Sequence, residues 1–338
     1  ALDTAASDAL QKSLRALHKA AQAKALPLFA LLKMDGDQLG QLLALRSAPA
    51  PAPTQASSDD ATGDLGGAAQ LLSSALQEFT QAAQTIVQAH SGYLLYAGGD
   101  DVLALAPAAQ ALDCVCALRR AYQQAFAALP TRFPACALAP QMAQQATISA
   151  ALALAHYQTP LTALYQDVSH ALDQVAKARH GRDSLALRLW KGQGLCASWG
   201  MPWEAALAAD GQLHILHLAR GMARQEGLLS GSFLQRGAAL WRELDGMADE
   251  ASLLRRLEHE YGHSLYAQSR ALSQQEVRQQ VQALWQCARQ QQRVADAQTS
   301  SGWRLQPLPR EVEEGQICQL LQTLCEILAQ AGMQESTP

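Results

Sequence analysis

An excess of positive charge is missing from this chain: 26 Lys and Arg stand against 30 Asp and Glu, a formal net charge of −4 at pH 7. Gripping nucleic acid by bulk electrostatics needs the opposite balance, so any such contact has to come from a local patch or a partner subunit. Membrane-length apolar runs are missing too, and no secretory leader is recognisable. The expectation is a soluble, cytoplasmic protein with no membrane partner. Aromatic residues are only 5% of a chain that is 49% hydrophobic, because Ala and Leu supply much of its apolar content. That composition favours helices. The seven cysteines form no repeated close pairs, and Cys114 and Cys116 miss the spacing of a zinc ribbon. Free buried thiols in a reducing compartment are expected. The chain opens on Ala1 inside a helical pattern (Leu10, Leu14, Leu17), which reads as a piece of a longer or processed protein.

What is present is a succession of short apolar runs and amphipathic helices. Residues up to about Lys24 have a helical period, and Leu28 to Met34 reads as a strand. Residues 47–67, with Pro49, Pro51 and Pro53, have no period and read as a flexible insertion. Leu72, Leu76, Phe79, Ala83, Ile86 and His90 recur at helical spacing and lead into a hairpin. A helix marked by Val115, Leu118, Tyr122, Phe126 and Leu129 follows, then a strand from Thr147 to Leu154. Leu161, Leu164, Val168, Leu172 and Val175 mark a third helix, stopped by Gly181, before a closing strand from Ser184 to Trp190. This order predicts an α+β class: a ferredoxin-like split βαβ core, an antiparallel sheet with helices on one face. Gly192, Gly194, Gly200 and Pro202 then read as a linker into an all-α remainder.

The chemistry concentrates at strand ends. Gly98-Gly99-Asp100-Asp101 lies between Tyr93–Ala97 and Val102–Ala106, the signature of a tight hairpin with acids where the chain reverses. Asp35-Gly36-Asp37 ends the earlier strand; alternation puts both acids on one face, and Gly36 lets a phosphate or metal approach the backbone. Carboxylates this close repel unless a cation neutralises them. Mg²⁺ or Mn²⁺ would do so while retaining waters and binding a nucleoside triphosphate. An acidic turn explains Asp100 and Asp101 taken alone, since Gly and Asp are common turn residues. Asp35 at a matching strand end favours a metal site, with Asp35 and Asp101 as its first candidates. Lys177, in the last turn of the third helix, suits either a helix C-terminus or the phosphates of a nucleotide.

At these residues the sequence resembles a known family. Lys33–Gly40, Gly92–Ala104, Thr147–Ala150 and Ala171–Ser184 look like the second palm domain of the large subunit of type III CRISPR RNA-guided effector complexes, closest to the III-B form. The likeness covers roughly residues 28 to 195, and the remainder is similar to that subunit's C-terminal helical domain. The resemblance implies a nucleotidyl cyclase that converts ATP to cyclic oligoadenylate when the complex binds target RNA. It implies Asp35, Asp100 and Asp101 as catalytic metal carboxylates, with Gly36 adding a backbone contact. It also implies a nucleotide pocket shaped by Gly98 and Gly99, bordered by Asp37 and Ser149, with Lys177 on the phosphates. Ala151 stands where the family pattern has Gly. The implied organisation is an N-terminal helix over residues 1–26, a palm domain over 27–195 and an α-helical interaction domain over 196–338. Implied partners are other subunits of the complex, including small helical ones, and the guide and target RNAs. Because the family pairs two palms around two ATP molecules, this chain alone is expected to make little product.

Other readings compete. A diguanylate cyclase using GTP has the same turn, but Asp101 and Val102 depart from its Gly-Gly-Asp/Glu-Glu-Phe pattern. A scaffold subunit would keep the palm purely for packing. His259-Glu260-Tyr261-Gly262-His263 fits the zinc-peptidase pattern, yet Gly262 weakens the helix and no third ligand follows, so a polar helix surface is expected there.

Overall fold

The computed structural model describes Lys12 and residues 27–45, 59–192, 194–224, 229–243, 250–267, 272–299, 302–309 and 312–335. The expected N-terminal helix lies outside the described residues apart from Lys12, as does the insertion between 46 and 58.

Strands β1 (Leu28–Asp37), β2 (Tyr93–Gly98), β3 (Asp101–Pro107), β4 (Thr147–His156), β5 (Ser184–Lys191) and β6 (Gly194–Pro202) form one sheet in the order β2-β3-β1-β4-β5-β6. Its first four strands pair antiparallel in the ferredoxin-like order. A short helix α1 (Leu39–Leu43) follows β1, and the long α2 (Asp59–Ala89) enters the hairpin. Helix α2 therefore takes in residues 59–67, which the sequence placed in the flexible insertion. Extending an existing helix costs far less than starting one, and the buried series Ala68, Leu71, Leu72, Ala75 and Phe79 supplies the anchored turns.

Helices α2 and α3 (Ala111–Ala127) cover one face of the sheet, with α4 (Leu138–Gln145) beside them. The opposite face is also covered, by α5 (Leu161–His170), which runs on into a π-helix, Ala171–Arg179. The α+β class is as expected, but helices lie on both faces rather than one, and β4 and β5 run parallel. Strand β4 explains the second layer. Ile148, Ala150, Leu152 and Leu154 point to α2 and α3, while Ala151, Ala153 and Ala155 meet Leu164, Val168 and Leu172. A continuous apolar strand is one covered on both sides, and parallel neighbours need such a crossover.

Residues expected as a linker form β6, paired with β5 from Ser184↔Pro202 to Lys191↔Gly194, so this strand runs through residue 195. Its pairing with β5 and the burial of Ala197, Trp199 and Met201 outweigh the glycines. Helices α6 (His214–Ala223), α7 (Gly231–Glu243), α8 (Glu250–Ala267), α9 (Gln274–Ala288) and α10 (Gln316–Glu335) follow. They are not all-α: strands β7 (Gln291–Ala295) and β8 (Trp303–Pro307) form a hairpin between α9 and α10. Among the described residues, no helix is long and apolar enough to cross a membrane. All seven cysteines are free.

Candidate metal and nucleotide site

Two turns of chain bring the acids together. Strand β1 pairs with β3 up to Met34↔Val102, and the next step of that register sets Asp35 beside Asp101. Gly98 pairs with Asp101, leaving Gly99 and Asp100 as the two-residue hairpin turn. Gly99 has φ 66°, a conformation open to glycine at little cost. One carboxylate oxygen from each of Asp35, Asp100 and Asp101 lies within 4.8 Å of the others, and they are the one such group among the described residues. Asp101 lies towards the α5 face with Asp35, whereas Asp100 sits by Gly36 on the other side of the strand.

Gly36 makes this approach possible. A β-carbon there would lie 2.8 Å from the Asp100 β-carbon and 3.0 Å from the Tyr122 hydroxyl. Its amide donates to the Asp100 carboxylate. Burial raises the Asp100 carboxyl above its ordinary range, its own amide opposes, and the Asp101 charge lifts it further. Beneath it, Tyr122 is fully buried against Phe79 and Phe126, with ring centroids 5.1 and 4.7 Å away. Its hydroxyl has no hydrogen-bond partner, and burial next to Asp100 and Asp37 holds its proton on.

Lys177 reaches from the π-helix and pairs with Asp35. Burial, reinforced by Arg182 and Lys33, pulls its ammonium down to about 8. A cation thus sits against one wall of the acid cluster, where a phosphate oxygen would also find it.

Asp37 and Ser149, which the resemblance implies beside the nucleotide, sit together at the paired ends of β1 and β4. Both are buried, and they bond each other: the Ser149 hydroxyl donates to Asp37 at 2.8 Å, Thr147 donates at 3.0 Å, and the Asp183 amide at 2.9 Å. Burial pushes the Asp37 carboxyl up to about 6 despite these donors. Gly98 admits the Tyr96 ring, whose hydroxyl would be 2.3 Å from a β-carbon at that position. Ala151 is fully buried in the second layer.

Sequence reasoning overlooked the network behind Asp37. Asp183 binds Arg293 at 3.1 Å and Arg119 at 3.7 Å, and its carbonyl accepts from the Trp203 amide at 2.8 Å. Asp183 stood in a recognised segment, but no local signal marks Arg293, 110 positions away by number. The His-Glu-x-x-His segment lies on α8. His259 and His263 approach to 3.2 Å, Glu260 pairs with Arg236 at 3.2 Å, and no metal-binding group includes them among the described residues.

A ferredoxin-like sheet with carboxylates gathered at the end of β1 and the β2–β3 turn is a palm-type domain. The comparisons with known proteins narrow that class. Residues 28–186 match the family model described as Cas10/Cmr2, second palm domain. This part of the chain is similar to that family's second palm domain. The CRISPR system Cmr subunit Cmr2 of Pyrococcus furiosus is 30% identical over 136 residues, covering 39% of this chain and 14% of that protein. The chain thus spans a small part of that relative's length. The cryo-EM structure of type III-B Cmr-beta bound to cognate target RNA is similar in fold at TM-score 0.50 and 13% identity, over 91% of this chain and 40% of that one. Its apo-state counterpart has TM-score 0.46 at 14% identity, over 87% and 38%.

Proposed function

We propose that this palm belongs to a type III CRISPR effector complex and makes cyclic oligoadenylate from ATP when target RNA is bound. The observation that carries the reading is the convergence of Asp35, Asp100 and Asp101 within 4.8 Å, with Lys177 against Asp35. An all-oxygen, three-carboxylate donor set fits Mg²⁺ or Mn²⁺ and would hold such ions, with Gly36 offering backbone. When bound, the metal would supply Lewis-acid stabilisation of charge and a more acidic ribose hydroxyl. The chain's own residues do the rest. Gly36 and Gly99 keep Asp100 within reach of Asp35, and the buried Asp37–Ser149–Thr147 cluster fixes the end of β1 that carries Asp35. Lys177 orients phosphate as a point charge once Asp35 turns to a cation.

The palm is proposed to include β6, with the following helices and hairpin contacting other subunits, small helical ones among them, and through these the guide and target RNAs. Two of the similar proteins favour that setting: one is a Cmr subunit, and another is a Cmr-beta structure bound to cognate target RNA. The test is reconstitution of the full-length subunit in its complex with guide and target RNA, followed by mass spectrometry of products from labelled ATP or GTP. ATP-derived cyclic products that vanish with Asp100→Ala and Asp101→Ala are expected. Product from GTP alone overturns the reading, and so does product that survives both substitutions.

A further inference from the structure

The turn after Lys177 is held in an unfavourable backbone shape by a segment far away in sequence. Gly181, Arg182 and Asp183 take φ values of 81°, 69° and 45°, three successive left-handed residues of which two carry side chains. Strain of this kind persists only where surrounding structure over-determines it. Here the surroundings are the β7–β8 hairpin. The Arg293 amide donates to the His180 carbonyl at 2.9 Å, and His180 Nδ1 lies 2.5 Å from the Gln291 carbonyl oxygen. A β-carbon at Gly181 would lie 2.2 Å from the Arg293 carbonyl oxygen, so the hairpin backbone rests directly on the turn.

The Arg293 side chain completes the grip. Its guanidinium stacks on Trp303 of β8 at 3.7 Å from the ring centroid and binds the Asp183 carboxylate at 3.1 Å. Asp183 in turn donates its amide to Asp37, two residues along β1 from Asp35, and Arg182 bonds back to Ala176, next to Lys177. One cation on the hairpin therefore touches the turn that fixes both sides of the Asp35–Lys177 pair.

We propose that Arg293 is a positioning residue for the palm site, and the β7–β8 hairpin a clamp that sets the Lys177 turn against the end of β1. This rests on the metal-nucleotide reading of the site. The hairpin makes the geometry of the acid cluster dependent on the C-terminal region that carries it, without touching substrate itself.

The test compares the full chain with Arg293→Ala, Arg293→Lys and Trp303→Ala. Hydrogen exchange at residues 176–184 and 35–38 is measured beside Mn²⁺–ATP binding, with helical circular dichroism to confirm folding. Arg293→Ala should speed exchange at the Asp183 amide about tenfold or more and weaken Mn²⁺–ATP binding about tenfold, with exchange in α7 and α8 unchanged. Arg293→Lys should fall between, since charge is kept and the planar stack is lost. Trp303→Ala should shift both readouts in the same direction. Unchanged exchange at 176–184 overturns the clamp whatever the ligand does. Faster exchange with unchanged binding, while Asp35→Ala still abolishes binding, overturns the positioning role. Binding in the parent chain that ignores Asp35→Ala sinks the metal-nucleotide reading instead; the exchange data then decide the clamp alone.

Discussion

A β-carbon on Gly36 would stand 2.8 Å from the β-carbon of Asp100, so these residues touch across the strand because one of them has no side chain. Gly36→Ala should displace Asp100 and spoil the three-carboxylate cluster. Overpacking of this kind costs about 1–3 kcal/mol of stability. Mn²⁺ titration of the full chain should show affinity reduced at least about tenfold, an effect of about 1.4 kcal/mol. Parental metal affinity in that variant would mean that Asp100 is no ligand.

Asp37 gives a pH signature. Its carboxyl has an ordinary value of 3.8 and is raised to about 6 by burial. The folded state thus holds this proton more tightly than the unfolded chain, so its contribution is fully present below 3.8 and lost as pH rises through about 6. Two units correspond to about 3 kcal/mol at most. Asp37→Asn has no such titration. Its unfolding free energy relative to the parent should therefore climb between pH 4 and pH 7 in denaturant melts; a flat difference would show that Asp37 stays ionised.

Tyr122 carries a buried hydroxyl with no partner. Stranding such a group costs about 1–3 kcal/mol, and phenylalanine keeps the ring contacts with Phe79 and Phe126. Tyr122→Phe is expected to be neutral or to raise the melting temperature. A clear loss of stability would reveal a hydrogen bond that forms in solution.

Lys177 competes with metal for Asp35. Lys177→Met should tighten binding of Mn²⁺ alone by a few-fold, because a neighbouring positive charge is gone. The same variant should weaken binding of ATP in the presence of Mn²⁺. Calorimetry separates the two, and parallel changes in both would place Lys177 outside the phosphate path.

How much of this could be read from the sequence follows from distance along the chain. The hairpin at Gly99, the strand that carries Asp35 near its end and the periodic helices are local patterns, and they emerged correctly. The second helical layer was hidden because Ala151, Ala153 and Ala155 are apolar whether a strand is covered once or twice. Strand β6 was hidden by Gly194, Gly200 and Pro202, whose turn propensity is overridden by pairing with β5. In the site, residue types pointed to the acids and to Lys177, but the saturation of Asp37 by Ser149, Thr147 and Asp183 is a tertiary fact. Arg293 had nothing beside it in sequence to mark it.

The alanines of β4 have one more consequence. Between the flanking Leu31, Leu103 and Leu105, methyl groups at 151, 153 and 155 are the shortest side chains separating β4 from the helical layer bearing Lys177, so they act as a spacer gauge. A glycine at 151 would thin that spacer and a valine would thicken it, moving the ammonium towards or away from the acids without altering a single charged residue. Reach between cation and carboxylate in this palm is thereby written in the smallest side chains of its core.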